Sequence, residues 1–117
     1  MSDITIYHNP RCSKSRETLA LLKDNGVEPT VVEYLKETPD EATLAALIEK
    51  LGITPRELLR KKEAEFKEHN LGDASVSDAD IIRAMAVSPK LIERPIVVNG
   101  DKARLGRPPE QVLEIIR

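Results

Sequence analysis

The sequence predicts a mixed α/β fold, with a β-α-β half, a helical insertion and a β-β-α half. Three observations carry this reading. Ile4-Thr5-Ile6-Tyr7 and Thr30-Val31-Val32-Glu33-Tyr34 read as short strands on either side of a helical segment. Between 40 and 87, apolar residues recur at helical spacing behind repeated helix-start signals. After that, the apolar run Pro95-Ile96-Val97-Val98 leads into Asn99-Gly100, a strong hairpin turn signal.

The elements follow in order. Ser15 to Asn25 carries Leu19, Leu21 and Leu22 among charges, and Gly26 stops it. Thr38-Pro39-Asp40-Glu41 matches a capping box with proline at the first helical position. The helix it opens carries Leu44, Leu47, Ile48 and Leu51 and ends at Gly52. Thr54-Pro55-Arg56-Glu57 repeats the start signal, followed by Leu58, Leu59 and Arg60-Lys61-Lys62. Phe66 anchors a further helical turn, and Asn70 to Val76 reads as a loop. Ser77 opens a helix with Ile81, Ile82, Met85 and Val87 as its apolar set, closed by Ser88-Pro89. Lys102-Ala103-Arg104-Leu105 is the returning strand of the hairpin. Arg107-Pro108-Pro109-Glu110 starts a final helix with Val112, Leu113 and Ile116.

A chain of 117 residues suits one domain, 1–117, with the insertion at about 40–87. A net charge of −2 argues against general nucleic-acid binding, which shows a basic excess. The lone cysteine excludes an internal disulfide, and two histidines far apart give no zinc spacing. The N-terminus has no long apolar run, so neither a signal peptide nor a membrane span is expected. A cytoplasmic, reducing setting is the expectation.

That cysteine, Cys12, stands in His8-Asn9-Pro10-Arg11-Cys12-Ser13-Lys14-Ser15-Arg16, between the first strand and the first helix. Free N–H groups at a helix start favour an anion. Arg11, Lys14 and Arg16 add positive charge nearby, and such surroundings lower a thiol pKa. The competing reading is a small buried hydrophobe, the usual fate of a single cysteine. Polar flanking residues weigh against burial.

The order of elements resembles the thioredoxin-like fold, a four-stranded mixed sheet here carrying a helical insertion. In that fold a reactive cysteine opens the first helix and a cis-proline precedes the third strand; Cys12 and Pro95 match those places. At the level of motifs the resemblance is closer. His8-Asn9-Pro10-x-Cys12-x-x-Ser15-Arg16, Leu59-Arg60-Lys61, Glu93-Arg94-Pro95-Ile96-Val97 and Arg107-Pro108 together resemble the glutaredoxin-coupled arsenate reductase family, in particular its short bacterial members. The match covers essentially the whole chain.

The resemblance implies that Cys12 attacks arsenate and holds arsenic covalently. Glutathione then adds, glutaredoxin resolves the mixed disulfide, and arsenite leaves. It implies that Arg60, Arg94 and Arg107 bind the oxyanion, that His8 helps to activate the thiolate, and that Ser15 holds a hydroxyl near the sulfur. Glutathione is a co-substrate here; no bound cofactor or metal, nucleic acid or membrane is expected, and the chain is expected to be a monomer. Elementary chemistry agrees with this division. A thiolate approaching an anion needs fixed positive charge, and arginine supplies it as a planar fork of donors. The ordinary alternative for each arginine is a solvated surface charge or ion pair, and for His8 a backbone brace. His69, in a charged stretch, is given no role.

Two other functions fit the same fold. One is a glutathione-linked thiol reductase with another substrate. The other is an Spx-like regulator that binds RNA polymerase. Regulators of that kind with a redox switch use Cys-x-x-Cys, whereas Ser15 stands at the second position here.

Overall fold

The protein's structure, a computed structural model, describes residues 4–116. The chain divides into two compact units. One comprises the residues up to Glu37 together with those from Arg94 onward, and the other is Thr38–Glu93.

The first unit holds the sheet. Strand β1 is Ile4–His8, β2 is Thr30–Glu33, β3 is Ile96–Asn99 and β4 is Lys102–Leu105. They lie in the order β2-β1-β3-β4. β1 runs parallel to β2 and antiparallel to β3, and β4 is antiparallel to β3. This is the thioredoxin-like arrangement that the order of elements predicts. The parallel pair needs a crossover, and helix α1, Ser13–Asp24, provides it. The antiparallel pair needs only a tight turn. Asn99 pairs with Lys102, so Gly100-Asp101 is the whole connection. Gly100 takes a left-handed φ of 63° at its first central position.

Period-two alternation along β1 buries Ile4, Ile6 and His8 on one face. On α1 the buried positions are Ser15, Thr18 and Leu22, a single helical stripe. Both stripes change character along their length. At one end Ile4, Ile6 and Leu22 form a core with Val97, Val112 and Ile115. At the other end the buried residues are His8, Ser15 and Thr18, all polar. The apolar end fastens the strand to the helix, and the polar end is left for chemistry.

The C-terminal segment differs from its expectation. Pro109–Glu114 is a 3-10 helix rather than an α-helix. The run is short and closed by i→i+3 bonds, Gln111 N–H to Pro108 O at 3.0 Å and Ile115 N–H to Val112 O at 3.3 Å. It still buries Val112, and Asn99 Nδ2 donates to Ile115 O at 2.5 Å, tying the hairpin to its end.

The second unit is built from α2 (Glu41–Leu51), α3 (Ala64–Glu68) and α4 (Asp78–Val87), with 3-10 turns at Pro55–Leu58 and Pro89–Leu91. Asp40, not Thr38, caps α2: its side chain accepts from the Thr43 N–H at 2.8 Å. Proline at 39 leaves Asp40 as the acceptor one turn before a free amide. Thr54 and Glu57 do form the expected reciprocal capping box. Arg56 fastens the loop after α3, donating from Nη1 to Leu71 O at 2.6 Å and from Nη2 to Val76 O at 3.2 Å. His69 is half-buried, with Nε2 3.1 Å from Ser88 Oγ. Leu58–Arg60 runs antiparallel to Leu91–Glu93, through Glu93 N–H to Leu58 O at 2.9 Å and Arg60 N–H to Leu91 O at 2.8 Å.

Leu22 is fully buried in the sheet's core. Leu22→Ala is expected to cost about 2–5 kcal/mol, the range for emptying a packed site. A urea titration read by circular dichroism checks it; a loss below about 1 kcal/mol would mean that α1 is not pinned there.

Candidate active site

The turn between β1 and α1 is braced by its own side chains. Asn9 O accepts from the Cys12 N–H at 3.0 Å, and Asn9 Oδ1 accepts from the Arg11 N–H at 3.0 Å. Arg16 Nη1 donates to Pro10 O at 3.0 Å. This brings Cys12 to the N-cap of α1, with an extended backbone at φ −93° and ψ 124°. An N-cap acceptor faces the unpaired amides of the next turn.

Cys12 is buried, only 8% exposed, contrary to what its polar neighbours suggest. Its pKa is nevertheless lowered. Burial pushes the thiol up; the Ser15 N–H, the Arg94 guanidinium, the Lys14 N–H and the Arg107 guanidinium together outweigh it. The cap contains no hydrogen bond of ordinary geometry to the sulfur, so the amides act as an oriented positive field. Arg107 Nη2 lies 4.0 Å from Sγ. Its Nε donates to Arg94 O at 2.8 Å, which fixes the plane of the fork.

Two of the three nearby charges expected to serve the thiol have other partners. Arg16 braces Pro10, and Lys14 Nζ lies 3.7 Å from Glu17. Arg11 is exposed. The cations that act on the sulfur come from Arg94 and Arg107, some eighty and more residues away in sequence. The third arginine, Arg60, belongs to the second unit. There Nη1 is 3.0 Å from Glu63 Oε2 and Nε is 4.0 Å from Glu93 Oε1.

His8 meets Ser15, with Nδ1 2.6 Å from Oγ. Ser15 is fully buried, and its Oγ also accepts from the Asn9 N–H at 3.0 Å. One hydroxyl proton remains. If the imidazole carries its hydrogen on Nε2, Ser15 gives that proton to His8. If the hydrogen is on Nδ1, the Ser15 proton is released toward other acceptors. Burial lowers the His8 pKa; Glu33 opposes this, and Arg16 and Lys23 add to it. The ring is therefore neutral at neutral pH, able to hold or pass a proton but not to supply fixed charge.

The bonds Arg94–Pro95 and Arg107–Pro108 are both cis. The first was expected from the fold resemblance; the second was not. The sequence assigns no role to Asn9, beyond its place in the motif, or to Thr18. Thr18 is fully buried and donates to Lys14 O at 2.8 Å. Its spacing of three from Ser15 on one helix face was the available signal.

Two outcomes follow from this geometry. A lysine at 107 keeps the charge but replaces by a point charge the planar fork that bonds Arg94 O through Nε and faces the sulfur through Nη2. The thiol pKa of Arg107→Lys is expected between that of the wild type and that of Arg107→Ala, read from thiolate absorbance against pH. Equal values in all three would remove Arg107 from the site. His8 has a folded pKa below its ordinary 6.5, so its contribution to stability is complete above about pH 6.5. That contribution is lost as pH falls through the folded value. Urea unfolding at a series of pH values should show this acid-side decline in the wild type and less of it in His8→Gln.

The family model described as ArsC family matches residues 7–115. The chain is 62% identical over 114 residues to YfgD of Escherichia coli (strain K12), an uncharacterized protein, covering 97% of this chain and 96% of that one. It is 48% identical to an arsenate reductase of Haemophilus influenzae, covering 97% and 98%. Among solved structures, an arsenate reductase from Vibrio cholerae superposes with a TM-score of 0.95 at 54% identity, covering 98% of each chain. The braced turn, the capped thiol and the two distant arginines thus lie on a chain that belongs to the ArsC family.

Proposed function

We propose that this protein reduces arsenate to arsenite with glutathione and glutaredoxin as the source of electrons. The observation that carries the reading is the buried Cys12 sulfur, whose pKa is lowered by helix amides and by two guanidiniums. A thiolate in such a field is both a nucleophile and a neighbour of an anion-binding position. Relatives named arsenate reductase, matched over nearly their full length, support the choice of anion.

In the proposed reaction the Cys12 thiolate attacks arsenic and forms a sulfur–arsenic bond, and one arsenate oxygen leaves as water. Arg94 and Arg107 hold the remaining oxygens and offset the repulsion between two anions. A glutathione thiol then supplies the second sulfur. Two thiols become one disulfide, arsenic(V) becomes arsenic(III), and arsenite departs. Glutaredoxin returns Cys12 to its thiol. Per turnover, arsenate and two thiols give arsenite, one disulfide and one water. His8 and Ser15 handle the protons of the thiol and of the departing oxygen. Arg60 is proposed as a further anion ligand on its family motif alone. Ser15 leaves the loop without a second sulfur for an internal thiol–disulfide switch. Such chemistry requires a reducing compartment, so we place the protein in the cytoplasm.

Steady-state arsenate reduction with glutathione and glutaredoxin, run beside an alkylation assay of the thiol, tests this. Cys12→Ser is expected to abolish turnover. Arg94→Ala, Arg107→Ala and Arg60→Ala are each expected to keep a reactive thiol and to lose about a hundredfold in rate. Full activity in all three arginine variants would overturn the oxyanion clamp. No arsenate-dependent turnover by the wild type would overturn the function.

A further inference from the structure

Gly106 joins the segments that make the Cys12 site. Its N–H donates to Pro95 O at 3.0 Å. The residue before Pro95 is Arg94, and the residue after Gly106 is Arg107. On its other side Gly106 lies against Thr18, whose hydroxyl is bonded to Lys14 O in the first turn of α1. Lys14 and Ser15, in that turn, supply the amides that favour the thiolate. One buried glycine is thus in contact with the proline behind Arg94 and with the helix turn behind the two amides, and it is bonded directly to Arg107.

There is no room for a side chain there. A Cβ on Gly106 would sit 2.7 Å from Pro95 Cγ and 3.0 Å from Thr18 Cγ2, and closer still to Thr18 Oγ1. Neither neighbour is the loose end of a long side chain. Pro95 is a ring, and Thr18 is β-branched and held by its hydrogen bond. Gly106 has no left-handed φ, unlike Gly26, Gly52 and Gly100. An alanine there would meet no backbone penalty, only the missing space.

We propose that Gly106 is a positioning residue. Its lack of a side chain lets the Pro95 segment and α1 close on each other, so that Arg94, Arg107 and the first-turn amides converge on the Cys12 sulfur. The proposal rests on Cys12, Arg94 and Arg107 forming one anion site. A Cβ wedge at Gly106 separates the sources of positive potential from the sulfur. The thiol then loses acidity and the site loses its grip on oxyanions, whatever happens to overall stability.

The test compares Gly106→Ala with Gly100→Ala. The latter introduces a side chain where φ is 63°, so it costs stability through the backbone, in the hairpin turn. Three quantities are read for each folded variant: the urea midpoint, the pH midpoint of Cys12 alkylation, and the arsenate concentration that half-protects Cys12 from iodoacetamide at pH 7. Gly100→Ala is expected to lower the urea midpoint and leave the other two unchanged. Gly106→Ala is expected to raise the pH midpoint of Cys12 alkylation by about one unit, a tenfold loss in the thiol's acid dissociation constant, and to need at least about tenfold more arsenate for protection. Gly106→Ala/Thr18→Ala, which removes both threonine atoms from the clash, is expected to recover part of each loss.

A folded Gly106→Ala with wild-type thiol midpoint and wild-type protection overturns the proposal. If Gly106→Ala does not fold, the double variant is read in its place against Thr18→Ala. Failure of both to fold would make Gly106 a requirement for folding and overturn the positioning role. Absence of arsenate protection in the wild type would instead strike the anion site itself. The thiol midpoint of Gly106→Ala would still decide whether the glycine positions the amides and arginines.

Discussion

Everything at this site depends on keeping a negative sulfur stable where burial disfavours it. Cys12 is almost wholly enclosed, and enclosure alone would make it an inert thiol. The balance is reversed by oriented amides and two guanidiniums. Neither is sufficient by position alone. The amides are useful because Cys12 caps α1, and the guanidiniums because Arg107 is bonded to the carbonyl of Arg94. The same field that holds a thiolate can hold an oxyanion, which links the acidity of the nucleophile to the recognition of what it attacks.

The fold serves this balance by dividing its two main stripes. β1 and α1 each carry apolar residues at one end and buried polar residues at the other. The apolar end, around Ile6 and Leu22, holds the strand and helix in register. That register brings His8 to Ser15 and Ser15 to the Asn9 amide. A strand slipped by one residue would turn His8 to the opposite face and dissolve the cluster. The antiparallel strand β3 then lies beside β1, so the chain enters the sheet through Arg94 and Pro95 on the site's own edge.

Much of this was legible beforehand, for identifiable reasons. Strands β1, β3 and β4 follow from alternation, an apolar run and a turn signal, all of them local. The N-cap place of Cys12 is local too. The source of the charge was not. Arg11, Lys14 and Arg16 are near in sequence, but Arg16 and Lys14 turn to Pro10 and Glu17. Arg94 and Arg107 reach the sulfur only because two antiparallel strands fold back, and chain distance carries no trace of that. Motif resemblance pointed to both arginines where loop chemistry pointed elsewhere. Polar flanks do not reveal the burial of Cys12, because Arg11 and Ser13 are exposed while the cysteine between them is enclosed. The apolar spacing of the final segment suits an α-helix, but spacing does not separate an α-helix from the short 3-10 run that Pro109–Glu114 forms.

The claim that the native fold, and not the local sequence, lowers the Cys12 pKa can be tested on the unmodified protein. The rate of iodoacetamide alkylation is measured against pH twice, once in buffer and once in denaturing urea. The loop's own arginines and lysine are present in both conditions, whereas the capped helix and the Arg94–Arg107 pair exist only in the first. The account predicts a native midpoint clearly below the unfolded one, which should lie near the free-thiol value of about 8.5. Coincident midpoints, or a native midpoint above the unfolded one, would contradict it.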